Sequence, residues 1–478
     1  MLEHYLKTYF GYSSFRSGQK EVIEQLLLGK DVVALLPTGR GKSLCYQLAG
    51  YVLDAPVLII SPLLSLMQDQ VDQLKRFGEK RVIALNSFLK LQQKKHALQS
   101  LQQYRFIFLS PEMLVQRQMV ERLQSIRLSL IVVDEAHCLS QWGFDFRPDY
   151  LKIGEVFEQA ERPPILALTA TATEKVLLDI KSYLHMRQPF YLVDSVDRPN
   201  IYFDKKTFPT KQEKHEWLIA HVTSTIGPGI IYTQSRRKAE EISACLLQTD
   251  IQVAAYHAGK DAEDRQFIQH QFLNGALSWI VATNAFGMGV HKDNIRQVIH
   301  ESMPSTIAHY MQEIGRAGRD GERSLATLLF VPGDDQVAKF VVTEDIPKKA
   351  HIEQYRFYQN SGQQPTKLMD NHELSDTAFR VLDYWMRQEP ADQVQERFFQ
   401  MEYAKIKEVD EVLSLIQTTS CMREFTVRYF GQNVATKPTS CCCNCHDNIL
   451  ESFQRVVFDK SYKSITWQQR LKNILSGH

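Results

Sequence analysis

The residues whose types and spacing suit them to chemistry fall into four groups. The first is Leu36-Pro37-Thr38-Gly39-Arg40-Gly41-Lys42-Ser43, a glycine-bearing run that follows an apolar stretch and leads into a helical pattern. A loop of this kind aims backbone N–H groups and a helix N-terminus at phosphate oxygens, which suits a triphosphate. Thr38, Gly39 and Gly41 form the cradle, Lys42 is placed for the β- and γ-phosphates, and Ser43 for Mg²⁺. Leu36 stands where the general pattern has its first glycine, so the loop alone is only moderately specific.

The second group ends an apolar run. Leu130-Ile131-Val132-Val133 delivers Asp134-Glu135-Ala136-His137, two carboxylates at the mouth of a buried strand. There an aspartate can hold Mg²⁺ through water, and the adjacent glutamate can orient a hydrolytic water. Taken alone the four residues also fit a solvated strand end; downstream of a phosphate loop the catalytic reading is favoured. The third group is Arg316 and Arg319 in Gly315-Arg316-Ala317-Gly318-Arg319-Asp320-Gly321. Two arginines held by glycines can reach phosphates across a cleft and stabilise charge that develops in a transition state. The default for such arginines in isolation is a surface ion pair at a helix start.

The fourth group is cysteine. Of eight cysteines, Cys45, Cys138 and Cys245 are scattered, while Cys421, Cys441, Cys442, Cys443 and Cys445 crowd together. In a reducing compartment such a cluster points to metal rather than disulfides.

These groups need elements to hold them. Short β-rich runs at 32–36, 57–61, 106–109, 130–133 and 165–168 alternate with helical patterns, which is the rhythm of a parallel sheet covered by helices. The rhythm breaks over 193–209, where Pro199 and Pro209 fall, and resumes at 229–232, 253–256, 279–283, 298–300 and 325–331. Two α/β domains with a linker near residue 205 are expected. From about residue 345 the β-rich runs end, and 370–417 has helical spacing ahead of the cysteines. A short helix is expected over 467–475. The domain layout is therefore 1–204, 205–342, a helical metal-bearing unit at 343–450 and a helical tail at 451–478.

Composition sets limits. At 478 residues and 44% hydrophobic content the chain can bury large cores, and its 56 basic against 55 acidic residues leave a formal net charge of +1. With no global basic field, any nucleic-acid site must be local. Met1-Leu2-Glu3-His4-Tyr5 carries no basic-then-apolar leader and no run of 18 apolar residues occurs, so a cytoplasmic protein without membrane contact is expected.

Further segments complete the pattern in a fixed order. They are Phe10-Gly11-Tyr12 with Phe15-Arg16 and Gly18-Gln19, the run 61–70, Ser110-Pro111-Glu112, Leu168-Thr169-Ala170-Thr171-Ala172-Thr173, Gly229-Ile230-Ile231-Tyr232 with Ser235-Arg236, Tyr256-His257-Ala258-Gly259 and the run 282–289. Together with the four groups they make the chain, over roughly residues 5 to 448, similar to the RecQ family of ATP-dependent DNA helicases in helicase superfamily two. The resemblance implies an α/β fold with two tandem RecA-like parallel-sheet domains, followed by a small α-helical zinc-binding domain. It also implies ATP, Mg²⁺ and Zn²⁺ as cofactors, single-stranded and partially duplex DNA as partner, 3′-to-5′ movement, and a role in recombination and repair. Repair and single-strand-binding proteins are expected partners, and a monomer is expected.

The resemblance also assigns residues. Gln19 would select adenine, since an amide pairs bidentately with N6 and N7; Tyr12 would stack on the base and Arg16 lie near the nucleotide. Arg319 would be the arginine finger and Arg316 a second phosphate contact. The aromatic-rich loop carrying Trp142, Phe144, Phe146 and Arg147 would bind DNA and signal occupancy to the carboxylates. Phe144 departs from the histidine of many relatives, and His291 stands where an acidic or amide residue is expected. The zinc module would use Cys421, Cys442 and Cys445, with Cys441, Cys443 or His446 as alternatives for the fourth ligand; the set taken is Cys421, Cys441, Cys442 and Cys445. Neither a winged helix nor a further helical domain fits after the last cysteine, so the rival reading is a DNA translocase that separates strands poorly.

Overall fold

A computed structural model describes residues 1–62, 64–86, 91–140, 147–158, 161–284, 286, 292–370, 373–446 and 450–454. Trp142, Phe144, Phe146, His291 and the helix expected over 467–475 lie outside the described residues.

The first sheet contains β1 (Val32–Leu35), β2 (Val57–Ile60), β3 (Val82–Leu85), β4 (Phe106–Leu109), β5 (Leu130–Val133), β6 (Ile165–Thr169) and β7 (Phe190–Val193). Its order is β3-β4-β2-β5-β6-β1-β7, with the pairings parallel. The inner strands are buried along their whole length, because helices cover both faces and leave no solvent side for polar residues. The register sets Leu35 beside Thr169 and Val133 beside Ala167, so β1, β5 and β6 end at one edge. The carboxyl edge of such a sheet is where loops can converge on a ligand.

The second sheet contains β8 (Ile201–Thr207), β9 (Gly229–Tyr232), β10 (Val253–Tyr256), β11 (Trp279–Ala282), β12 (Gln297–His300) and β13 (Ser324–Phe330), in the order β10-β11-β9-β12-β13-β8. Here the structure corrects the sequence reading. The stretch near residue 205 is no linker: β8 pairs with β13 in register from Ile201 against Ser324 to Thr207 against Phe330. The crossing between the sheets is instead 194–200, and the polar Asp204-Lys205-Lys206 hid a strand whose other edge is free of sheet partners.

That edge is covered from the far end of the chain. The Cys443 N–H donates to Phe203 O at 2.9 Å, and the Phe203 N–H donates to Cys441 O at 3.3 Å. The helical unit comprises Asp334–Glu344, Lys349–Asn360, Lys367–Asp370, Asp376–Gln388, the 27-residue Ala391–Gln417 and Met422–Tyr429. Pro390 separates the pattern expected as one helical stretch into two helices, since proline lacks the N–H that an interior position must donate. The helices from Lys349–Asn360 to the first half of Ala391–Gln417 share a core of Leu368, Phe379, Leu382, Trp385, Val394 and Phe398, which also takes in Leu151 of the first domain. Lys205 donates to the Ile416 carbonyl at 2.8 Å and to that of Thr418, capping the long helix where its dipole is negative. Among the described residues no helix is long and apolar enough to cross a membrane.

Candidate active site

The helix Lys42–Val52 starts at the carboxyl end of β1, and its N-terminal turn depends on two glycines with left-handed backbones, Gly39 at φ 84° and Gly41 at φ 76°. A cavity of about 350 Å³ opens at this turn. Thr38, Gly39, Gly41, Lys42 and Ser43 line its floor, Asp134 and Glu135 one wall, Arg316 and Arg319 another, and Tyr12, Arg16 and Gln19 its far end. All twelve residues expected for nucleotide and catalysis thus meet in one space.

The carboxylates occupy different electrostatic settings. Glu135 has φ 48°, a left-handed conformation that costs a side-chain-bearing residue about 1–2 kcal/mol. That turn sends it back toward the loop, where Lys42 Nζ lies 3.4 Å from Oε1 and His137 Nδ1 3.5 Å from Oε2. Burial opposes ionisation of Glu135, but Lys42, His137 and Arg316 outweigh it and hold its pKa low. Asp134 is pushed up to about 6, first by burial and then by the neighbouring Glu135 charge. A half-buried carboxyl in that state gains from a cation, which fits the donor set Asp134 and Ser43 for Mg²⁺.

The arginines arrive on the loop that follows the helix Ile307–Ile314. Contact with the phosphate loop is close: a Cβ on Gly39 would sit 2.9 Å from Arg319 Cγ, and one on Gly315 would sit 2.3 Å from Thr38 Oγ1. Only glycine fits at either place. Arg319 is pushed down to about 10 by burial and by the like charges of Arg316 and Arg198. A positive cluster confined in this way is matched by phosphate.

At the far end, Tyr12 is 54% exposed, so its ring lies outside the core and is open for stacking. Gln19 is buried and its amide is committed within the protein. Nε2 donates to Arg40 O at 2.8 Å and Gly41 O at 3.1 Å, and Oε1 accepts from the Arg16 N–H at 2.9 Å. As it stands, Gln19 buttresses the loop. Arg16 also donates to the Gly39 carbonyl.

Comparisons with known proteins place this geometry. The model for DEAD/DEAH box helicases matches residues 16–180, and that for the helicase conserved C-terminal domain matches 213–321. The probable ATP-dependent DNA helicase RecS of Bacillus subtilis is 39% identical over 486 residues, covering 99% of this chain and 98% of that protein. The chain belongs to the RecQ family. The ATP-dependent DNA helicase RecQ of Haemophilus influenzae is 40% identical over 355 residues, covering 73% of this chain and 57% of that protein. The RecQ-family chain thus spans nearly all of RecS but little more than half of that RecQ. Among solved structures, the DUF1998 helicase MrfA bound to DNA aligns with a TM-score of 0.60 at 19% identity, over 71% of this chain and 52% of that one, which is a likeness of fold.

Of the DNA-facing residues expected in this RecQ-family chain, Arg147 is described. Its Nη1 donates to Pro62 O at 2.9 Å and lies 3.9 Å from Glu112 Oε1. Arg147 therefore joins the segments 61–70 and 110–112.

Four of the five clustered cysteines converge, Cys441 among them. The Sγ atoms of Cys421, Cys441, Cys442 and Cys445 all lie within 4.8 Å of one another, with Cys421 3.5 Å from Cys441 and 3.9 Å from Cys442. Tetrahedral Zn–S bonds of about 2.3 Å put sulfurs about 3.8 Å apart, so the group fits Zn²⁺. Cys443 faces Met422 Sδ at 3.7 Å instead.

Sequence reasoning missed Arg198 and Arg423. Arg198 sits in the stretch taken for a linker, and Arg423 lies two residues after Cys421. Arg423 is fully buried: it reaches Asp197 Oδ1 at 2.5 Å, the carbonyls of Arg198 and Cys441 at 2.9 and 3.3 Å and that of Ile201, and it stacks 4.8 Å over the Phe203 ring. An arginine beside a cysteine in a helical pattern was the available signal.

Proposed function

We propose that the chain is an ATP-dependent DNA helicase that hydrolyses ATP between its two sheet domains, moves 3′ to 5′ along single-stranded DNA and opens duplexes, in recombination and repair. The observation that carries this is the meeting of Lys42 and the Asp134–Glu135 pair with Arg316 and Arg319 across one cavity. Residues from two domains then close on one phosphate chain, so hydrolysis and relative domain movement are linked.

Lys42 and the N–H groups of the loop hold the triphosphate, with Thr38, Gly39 and Gly41 shaping the cradle. Mg²⁺, held by Ser43 and through water by Asp134, would neutralise charge on the β- and γ-phosphates. Glu135, kept ionised by Lys42, orients the attacking water, and Arg319 and Arg316 stabilise charge as the terminal phosphoryl group leaves. Tyr12 supplies a stacking face, Arg16 a charge near the nucleotide, and Gln19 reads adenine by exchanging its loop carbonyls for the base edge. Trp142, Phe144, Phe146 and Arg147 contact the strand, for which stacking and phosphate contacts are the sequence-tolerant means. Zn²⁺ in Cys421, Cys441, Cys442 and Cys445 fixes the helical unit on β8. Domains are assigned as 1–200 and 201–333, the boundary expected at 204/205 moving ahead of β8, followed by a helical unit from Asp334 to residue 450.

The test is ATP turnover with no polymer, single-stranded DNA, duplex DNA and RNA, followed by unwinding of a 3′-tailed duplex. Turnover stimulated by single-stranded DNA and unwinding from the 3′ tail are expected. Lys42→Ala should lower turnover by at least ~10³-fold while DNA affinity stays within a few-fold. Absence of polymer-stimulated turnover in folded protein would refute the proposal.

A further inference from the structure

Arg198 lies in the seven-residue crossing 194–200 and touches neither the P-loop lysine nor the paired carboxylates. Its guanidinium nonetheless spans both sides of the nucleotide cavity. Nη1 donates to Thr38 O and to Gly315 O, each at 3.1 Å, and Nη2 donates to Ala317 O at 3.1 Å and Gly318 O at 2.8 Å. The first carbonyl belongs to the phosphate loop, and the other three to the loop that carries Arg316 and Arg319. One planar fork therefore sets the distance between cradle and arginines. The same seam holds the Thr38 hydroxyl donating to Gly315 O at 2.8 Å, and Asn200 Nδ2 donating to Gly318 O at 2.8 Å.

The fork is anchored from behind. The Arg198 carbonyl accepts from Arg423 Nη1 at 2.9 Å, and the other nitrogen of Arg423 lies 3.3 Å from the Cys441 carbonyl in the cysteine cluster. Asp197, next to Arg198, is paired with Arg423 Nη1 at 2.5 Å. Burial and the nearby Arg40 lower the Arg198 pKa, so this charge is held in place at a cost that the four carbonyl dipoles offset.

We infer that Arg198 is a positioning residue for ATP hydrolysis: it fixes the Arg316–Arg319 loop against the phosphate loop, and Arg423 ties that fork to the cysteine module. The inference rests on the proposed reading of the cavity and adds the element that sets its catalytic spacing. A lysine cannot replace it, because a single ammonium on a flexible stem does not bridge two segments as a planar fork does. Misplacement by about 1 Å of groups that act only in the transition state is felt in kcat rather than in ground-state binding.

The test compares wild type, Arg198→Lys and Arg198→Ala by steady-state ATPase with saturating single-stranded DNA, by ADP affinity, and by the affinity of ADP–aluminium fluoride, a mimic of the transferring phosphoryl group. Arg198→Lys is expected to lower kcat roughly tenfold to hundredfold and to weaken ADP–aluminium fluoride by a similar factor, with ADP affinity within about threefold. A Lys variant with kcat within twofold of wild type would overturn the inference. So would a loss of kcat matched by an equal loss of ADP affinity, which a loosened fold produces. The Ala variant, if it folds, should be no better than Lys; if it does not fold, the Lys variant decides. A wild-type protein without turnover would defeat the reading of the cavity and this inference with it, whereas an active wild type matched by Arg198→Lys would defeat the inference alone.

Discussion

Asp134 and Glu135 are adjacent in sequence, yet the structure gives them opposite tendencies. Glu135 turns through its left-handed backbone onto Lys42 and stays charged, while Asp134, half-buried in the cavity wall, is pushed up to about 6 by desolvation and the Glu135 charge. For Asp134 the folded-state value lies above the ordinary carboxylate value of 3.8, so the folded protein binds the proton more tightly than the unfolded chain does between those two points. Acidification through that window favours the fold, and above about 6 the buried charge weighs against it. Asp134→Asn removes the charge, so the nucleotide-free variant should melt above wild type at pH 7.5, by on the order of 1–3 kcal/mol. The gap should close as the pH falls from 7 toward 4, and ATP turnover should be lost at every pH. Thermal melts of both proteins across that range test this; a gap that does not vary with pH would show that charge burial at Asp134 is not its source.

Among the elements, β8 and the cysteine knuckle depend on each other. The knuckle supplies hydrogen-bonding partners to the strand's outer edge through Phe203, Cys441 and Cys443, and Arg423 fills the space behind them. An edge strand bearing Asp204, Lys205 and Lys206 gains little from apolar burial at its polar end, so a metal-closed knuckle is a fitting cover. Zinc is expected to bind in a one-to-one ratio, and its removal with a strong chelator, or Cys442→Ala, should lower the melting point by several degrees or more. Amide exchange should speed up first at 201–207 and 422–445, while β1, β2 and β5 stay protected. Unchanged exchange at 201–207 after metal loss would contradict the dependence. The same elements show where sequence was readable. The inner strands declared themselves as short unbroken apolar runs because both faces are covered, and the loops at their carboxyl ends carried recognisable residues. Of the strands passed over, β7 alternates half-exposed and exposed positions and β8 carries Asp204, Lys205 and Lys206, which blur the pattern at a sheet edge, whereas β3 is as apolar as the strands that were read. The spacing of cysteines left three candidates for the fourth ligand because backbone direction within Cys441-Cys442-Cys443 decides which thiol turns inward, and that is a tertiary fact. Arg198 escaped for a related reason: its four partners are backbone carbonyls, which leave no mark on residue identity except the glycines at 315 and 318.

Across the whole molecule, 56 basic residues against 55 acidic ones leave no long-range field to draw a polyanion in from solution. Affinity for DNA would then come from contacts made after arrival, in a proposed path beside Arg147, which bridges the 61–70 and 110–112 segments. Each phosphate neutralised on a single strand contributes a slope of about −0.7 in log affinity against log salt. A path across two small sheet domains, with stacking sharing the work, should give a slope of roughly −2 to −5, and the association rate should depend on salt only weakly. Because the arginines proposed to meet ATP are on the second domain and the phosphate loop is on the first, closing the cavity around nucleotide would also change the spacing of the groups proposed to grip the strand. The salt slope measured with a non-hydrolysable ATP analogue should therefore differ from that measured with ADP by about one contact or more. Identical slopes in the two nucleotide states would mean that the domains approach each other without altering their hold on DNA, and movement along the strand would then need a source other than the closing of this cavity.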